Sequence, residues 1–199
     1  MNTQTAKEVF IGIKRVLDQL GIKFWLVDGT ALGAVREGRF IVGDLDIDLR
    51  ILAVDFDFAK ISSAFKGAGF TCANILNPPL YKDKSAGVVV KKRGIKCDMC
   101  IGYYYPPTKR LVVLATSPLS NVTVLPASLF DKGEDYFVEF LGLRVRVPNP
   151  PEKYLTTRYG KDWKTPKNEK FRSECKPISI AKYVNYFHKH PGVNQKVDA

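Results

Sequence analysis

The chain has 199 residues, 45% hydrophobic and 26% charged, a balance that excludes disorder and allows a core without disulfide or metal staples. Its 31 Lys plus Arg against 20 Asp plus Glu give a net charge of +11, which predicts an anionic partner such as a nucleotide, a phosphorylated substrate, nucleic acid or an acidic membrane surface. No apolar run approaches the ~20 residues of a membrane span.

Charges at Lys7, Glu8, Lys14, Arg15 and Asp18 interrupt the first twenty residues, so they do not read as a signal peptide. Without such a signal the four cysteines form no disulfide framework. A cytoplasmic protein is the expectation. Val9, Phe10, Ile13, Val16, Leu17 and Leu20 recur at helical spacing before Gly21, which predicts an amphipathic helix over 4–20. A short apolar strand over 23–27 follows, then Asp28-Gly29-Thr30, a turn opening a helix. Asp46 to Leu52 reads as a strand, and 57–68 as a helix with Phe58, Ile61 and Phe65 on one stripe.

Strands are expected over 70–76, 86–92 and 95–101, the last two joined as a hairpin by Arg93-Gly94. Leu111 to Ala115 pairs nearby, and 136–147 forms a second hairpin around Gly142. Pro148, Pro150 and Pro151 introduce a helix over 152–159 that Gly160 stops. Ile180, Tyr183, Val184 and Phe187 mark a final amphipathic helix. This interleaving predicts one α/β (α+β) domain over 1–199, a mixed β-sheet flanked by helices with helical C-terminal elements. Residues 142–199 carry 13 basic and 5 acidic groups, either a solvated face or one wall of an anion-binding cleft.

The densest chemical signal is Asp44-Leu45-Asp46-Ile47-Asp48-Leu49. On a strand, Asp44, Asp46 and Asp48 share one face while Leu45, Ile47 and Leu49 enter the core. Carboxylates this close need a cation between them, and hard oxygen ligands suit Mg²⁺ or Mn²⁺ with substrate phosphates completing the shell. An acidic edge strand is the plain alternative. Asp28-Gly29-Thr30 offers backbone N–H groups to a phosphate, with the Thr30 hydroxyl capping the helix and touching a phosphate oxygen. Asp98 interrupts the apolar run 95–101, so its charge must be paired, metal-bound or exposed.

The stretch Trp25 to Leu49 resembles the signature of the LicD family, which includes phosphocholine and fukutin-type ribitol-phosphate transferases of the nucleotidyltransferase superfamily. Gly29-Thr30, Leu32-Gly33-Ala34-Val35-Arg36, Arg39-Phe40-Ile41 and Asp44 to Asp48 carry the likeness without a gap. Tyr154 to Trp163 is similar to the family's C-terminal Tyr-Gly-Asp-Trp-type motif. Where the family often has Trp before the acidic run and Asp at its second place, this chain has Gly43 and Leu45.

The resemblance implies a nucleotidyltransferase-like fold and Mg²⁺-dependent transfer of a phospho-alcohol from a CDP-alcohol-type donor to a sugar or glycan acceptor. Asp46 and Asp48 would hold the metal, with Asp44 assisting. Asp98 would be the third ligand or the acceptor base. Gly29 and Thr30 would cradle the donor phosphates and Arg36 neutralise them, while Arg158 and Tyr159 would line the donor site or anchor a helix. Two alternatives stand: transfer of a nucleoside monophosphate from NTP to a small molecule, protein or RNA, and a catalytically inactive nucleotide-binding module.

Cys97 and Cys100, three apart on a strand, point to opposite faces, so zinc is not expected from them or from Cys72, Cys175, His188 and His190. Tyr103-Tyr104-Tyr105 and Lys91-Lys92-Arg93 can stack on and neutralise single-stranded nucleic acid. A sheet edge beside a basic turn explains them equally, and nucleic acid is not the expected partner. Peripheral membrane contact is compatible with the charge.

Overall fold

The first apolar stripe folds as helix α1 (Thr3–Gln19), capped by the Asn2 side chain, which accepts from the Thr5 N–H. Its buried residues Ala6, Val9, Phe10, Ile13, Val16 and Leu17 occupy one helix face. This computed structural model describes residues 2–76, 85–114, 122–130, 133–166 and 189. The expected helix around Ile180 to Phe187, and Cys175, His188 and His190, lie outside the described residues.

Strands β1 (Phe24–Leu26), β2 (Asp46–Leu52), β3 (Thr71–Leu76), β4 (Ser85–Lys92) and β5 (Ile95–Tyr105) form one sheet in the order β1-β2-β5-β4-β3. Its other strands are β6 (Arg110–Leu114), which pairs with the far half of β5, and β7 (Val122–Pro126), which pairs with β6. Strands β2 and β5 run parallel while every other described pair is antiparallel, so the sheet is mixed. A separate hairpin joins β8 (Tyr136–Phe140) to β9 (Leu143–Val147). Both expected hairpin turns are present. Arg93-Gly94 and Leu141-Gly142 each take two successive positive φ values, the backbone that matches a two-residue hairpin to strand twist.

The other α-helices named are α2 (Asp28–Glu37), α3 (Phe58–Gly67) and α4 (Pro151–Tyr159), and three short 3-10 turns lie between the strands. Ile47, Leu49 and Ile51 of β2 and Cys97, Met99 and Ile101 of β5 are fully buried on one sheet face, the side on which α1 meets β5 and α3. Perpendicular ring contacts join Phe10, Phe40 and Phe140, with centroids 4.9–6.5 Å apart, and fasten α1 to β8. A second ring series runs from Trp25 to Phe130 at 5.7 Å and on to Tyr154 at 6.1 Å, which seats α4 against β1.

Three expectations need correction. The strand spans Asp46–Leu52 as expected, but Asp44 does not extend its acidic face, because it sits in a turn in which its N–H donates to the Ile41 carbonyl. Leu45 therefore does not enter the core; it is 78% exposed. The run Tyr103–Tyr105 is no open edge, since it continues β5 and pairs with β6, and the buried Tyr103 hydroxyl donates to the Ser85 carbonyl. Strand β7 was not foreseen. Its alternation over Val122 to Leu125 is brief, and Pro126 ends it at an edge, where a missing donor costs nothing.

The longest described helix has 17 residues, and among the described residues no helix is long and apolar enough to cross a membrane.

Candidate active site

The parallel register of β2 and β5 builds the site. Asp46 lies opposite Lys96, Asp48 opposite Asp98 and Arg50 opposite Cys100. Since β2 and β5 bury the intervening residues, these six side chains share the other face. The structure thereby brings Asp46, Asp48 and Asp98 together across about fifty residues of sequence: one carboxylate oxygen from each lies within 4.8 Å of the others.

The cluster holds an internal cation. Lys96 Nζ lies 2.9 Å from Asp46 Oδ2 and 2.9 Å from Asp98 Oδ2. Burial works against the Lys96 ammonium, but its two carboxylate hydrogen bonds outweigh that and hold its pKa above the ordinary lysine value. Asp48 has no such partner among the described residues. Burial, then the charges of Asp28, Asp46, Asp44 and Asp98, push its carboxyl well above the usual range. Three acids against one ammonium leave an excess of negative charge that a divalent ion would balance.

The donor set fits such an ion. One carboxylate oxygen from each of the three acids lies within reach of a single shared ion. Asp98 Oδ1 is buried and has no hydrogen-bond partner among the described residues, which leaves a ligand oxygen to offer. Cys100 shares the face, but burial pushes its thiol up to about 12, so no thiolate competes and the set is all hard oxygen.

Thr30 is placed differently from the sequence expectation. Helix α2 begins at Asp28 with Val27 as its cap, so Thr30 caps nothing. It is fully buried, and its Oγ1 accepts the Asp48 N–H at 2.9 Å. Thr30 thus fixes the backbone that carries an acid, rather than presenting a hydroxyl to a phosphate. Gly29, in the first turn of α2, faces Asp44: an added Cβ would stand 3.0 Å from Asp44 Oδ2. Burial, then the charge of Asp46, raises the Asp44 carboxyl. Asp44 stands beside Gly29, not within the triad.

Arg36 also departs from expectation. It lies in the last turn of α2, ~12 Å along the axis from Asp28, and its guanidinium bonds Glu37 at 2.5 Å. It does not join the acids.

Asp28 is the residue that sequence reasoning missed. It takes a positive φ of 47°, uncommon for a side-chain-bearing residue though tolerated best by Asp and Asn. The conformation is held from several sides. The Asp28 N–H donates to the Tyr154 hydroxyl at 3.0 Å, and that hydroxyl donates back to Asp28 Oδ1 at 3.0 Å. Arg158 Nη2 reaches Asp28 Oδ1 at 2.5 Å and Arg50 Nη2 reaches Oδ2 at 3.9 Å. Burial pushes the Asp28 carboxyl up, yet Arg158, Arg50 and Tyr154 together hold it below its usual value. Burial, foremost, raises the Tyr154 and Tyr159 phenols, so Tyr154 remains a donor. Arg158 therefore fastens α4 to the start of α2, and Tyr159 is buried beside it. Arg50 extended the Asp46, Asp48 alternation, and Lys96 stood two residues from Asp98; those spacings were the available signals.

A parallel strand pair bearing these acids beside a helix that opens on Asp-Gly-Thr belongs to the nucleotidyltransferase class of domains. Residues 21–97 match the family "LicD/FKTN/FKRP, nucleotidyltransferase domain". The chain is a member of the LicD family. It is 29% identical over 163 residues to human ribitol-5-phosphate transferase FKTN and 30% identical over 161 residues to the mouse protein of that name. These alignments take in 82% and 81% of this chain, which spans only about a third of the relatives' length (34% and 33%). A solution structure of the antibiotic-resistance factor ANT(2'')-Ia aligns with a TM-score of 0.49 at 16% identity, over 98% of this chain and 78% of that one.

Proposed function

We propose that this protein transfers a phospho-alcohol, of the polyol-phosphate kind, from a CDP-alcohol-type donor to a hydroxyl of a sugar or glycan, with Mg²⁺ or Mn²⁺ at Asp46, Asp48 and Asp98. The observation that carries this reading is the convergence of those three carboxylates within 4.8 Å in a LicD-family chain whose relatives are named ribitol-5-phosphate transferase.

In the proposed step the acceptor oxygen attacks the phosphorus bearing the alcohol and a new P–O bond forms. The P–O bond to the nucleoside monophosphate breaks, and its electron pair leaves on that oxygen. The acceptor proton passes to Asp98 Oδ2, the oxygen that Lys96 hydrogen-bonds and that the ion would not occupy. A bound divalent ion would supply neutralisation of phosphate charge. The chain's own residues hold the geometry. Gly29, whose missing side chain leaves room for the Asp44 carboxylate, would present the backbone N–H groups of the first turn of α2 to a donor phosphate. Thr30 fixes the Asp48 backbone, and the Asp28–Arg158–Tyr154 knot sets α4 beside the same turn.

Incubation with CDP-ribitol, CDP-glycerol, CDP-choline and the four NTPs, with sugar acceptors and Mg²⁺, tests this by mass spectrometry. CMP release with an acceptor gain of one phospho-alcohol is expected. Pyrophosphate release with a gain of one nucleoside monophosphate would assign nucleotidyl transfer instead. Nucleotide binding without any product would assign the inactive module.

A further inference from the structure

Lys96 stands where a cation would stand. It lies two residues before Asp98 on β5, so both side chains leave the same sheet face. The parallel register sets it opposite Asp46 on β2, and the antiparallel pairing with β4 holds its backbone on the other side. Its Nζ bridges the two acidic strands, 2.9 Å from Asp46 Oδ2 and 2.9 Å from Asp98 Oδ2. Solvent reaches this bridge: the Lys96, Asp46 and Asp98 side chains are 38%, 27% and 13% exposed. A lysine ammonium has three N–H donors. Two go to these carboxylates, which leaves the third for an oxygen arriving from the solvent side.

Sites that transfer phosphoryl groups with two divalent ions hold them about 3.5–4 Å apart, one serving the attacking oxygen and the other the leaving oxygen. In this chain two of the oxygens that a second ion would need are already taken. An ion bridging Asp46 Oδ2 and Asp98 Oδ2 would fall on the ammonium itself. Charge agrees with geometry. Three carboxylates and one ammonium carry two negative charges between them, which a single divalent ion cancels. The lysine is also built into the central strand of the sheet, so its charge is present whatever the concentration of free metal.

We propose that this is a one-ion site. A single divalent ion binds Asp48 and the oxygens that Lys96 leaves free on Asp46 and Asp98, and the Lys96 ammonium takes the second cation's place. Its third N–H is then directed to the donor's diphosphate. The proposal rests on the transferase reading above and deepens it, by assigning the number of ions and the side chain that replaces the second. A lysine that merely filled an empty metal site would be expelled once two ions bound.

Counting Mn²⁺ bound to the full chain, with electron paramagnetic resonance of the bound ions, tests it, both with Mn²⁺ alone and with CDP added. Wild type should take one Mn²⁺ per chain in both cases, with the spectrum of an isolated ion. Lys96→Met, which removes the charge and keeps the bulk of the stem, should take two, showing the spin coupling of neighbouring ions. With Mn²⁺ held at one per chain, Lys96→Met should bind CDP about tenfold more weakly, the loss of one charged hydrogen bond. Circular dichroism reports whether the variant folds; should it not, the wild-type count decides by itself. Two coupled ions in wild type, with or without CDP, would overturn the proposal and leave the metal-dependent transferase reading standing. A folded Lys96→Met protein that still binds one ion, or that binds CDP as tightly as wild type, would do the same. Wild type that binds no Mn²⁺ at all would instead overturn the metal-dependent reading itself.

Discussion

Asp28→Asn should cost the fold about 3 kcal/mol at neutral pH. The side chain of Asp28 is 22% exposed and faces two guanidinium groups, Arg158 at 2.5 Å and Arg50 at 3.9 Å, whose side chains are 13% and 3% exposed. Removing one partner of a buried ion pair costs about 3–5 kcal/mol because the other charge is stranded. Asn keeps one acceptor for Tyr154, and the remaining exposure screens part of the loss, so the lower end applies. Whole-protein stability is ordinarily about 5–15 kcal/mol, which makes this a large fraction.

The sign with pH follows from the lowered carboxyl. Its folded value lies below the ordinary 3.8, so its contribution is complete above about pH 4 and disappears as pH falls through the folded value. Urea unfolding of both proteins at pH 7 and pH 3 measures it. The gap should be wide at pH 7 and narrower at pH 3. A gap under 0.5 kcal/mol at pH 7 (about the scatter of neutral surface changes), or one of equal size at both pH values, would refute the reasoning.

Thr30→Val should destabilise by about 1–3 kcal/mol, since it leaves the Asp48 N–H without its acceptor in a buried place; equal urea midpoints would remove Thr30 from this role. Lys96→Met should tighten Mn²⁺ binding by about tenfold, because the ammonium that repels a second cation at Asp46 and Asp98 is gone. Calorimetric titration showing weaker binding would mean that Lys96 organises the carboxylates instead. Gly33→Ala should unfold or strongly destabilise the chain, as an added Cβ would stand 2.5 Å from the Arg39 carbonyl oxygen; a thermal melt within 2 °C of the parent would contradict that packing.

Much of this architecture was legible because local signals agreed with one another. Helix α1 announced itself through an uninterrupted 3.6-residue period, and the β4–β5 hairpin through a two-residue Arg-Gly turn between alternating runs. The acids were legible because Asp46, Asp48 and Asp98 sit in otherwise apolar strands, where charge needs a reason. What escaped was set by partners distant in sequence. Leu45 obeyed the alternation yet lies outside the strand, because the chain turns through Asp44 and the pairing begins at Asp46. Thr30 looked like a cap, but helix α2 opens two residues earlier on an Asp28 at positive φ, which Tyr154 and Arg158, some 126 and 130 residues away, help to hold in place. Arg36 carried the right charge at the wrong end of its helix.

The central claim is that three carboxylates hold a cation on which phospho-alcohol transfer depends. Its most direct test is CMP release from CDP-ribitol by wild type and Asp48→Asn, with Mg²⁺ and with EDTA, alongside circular dichroism of both proteins. The account predicts release only by wild type with Mg²⁺ while Asp48→Asn keeps its fold. Undiminished release in EDTA, or by a folded Asp48→Asn protein, would contradict it.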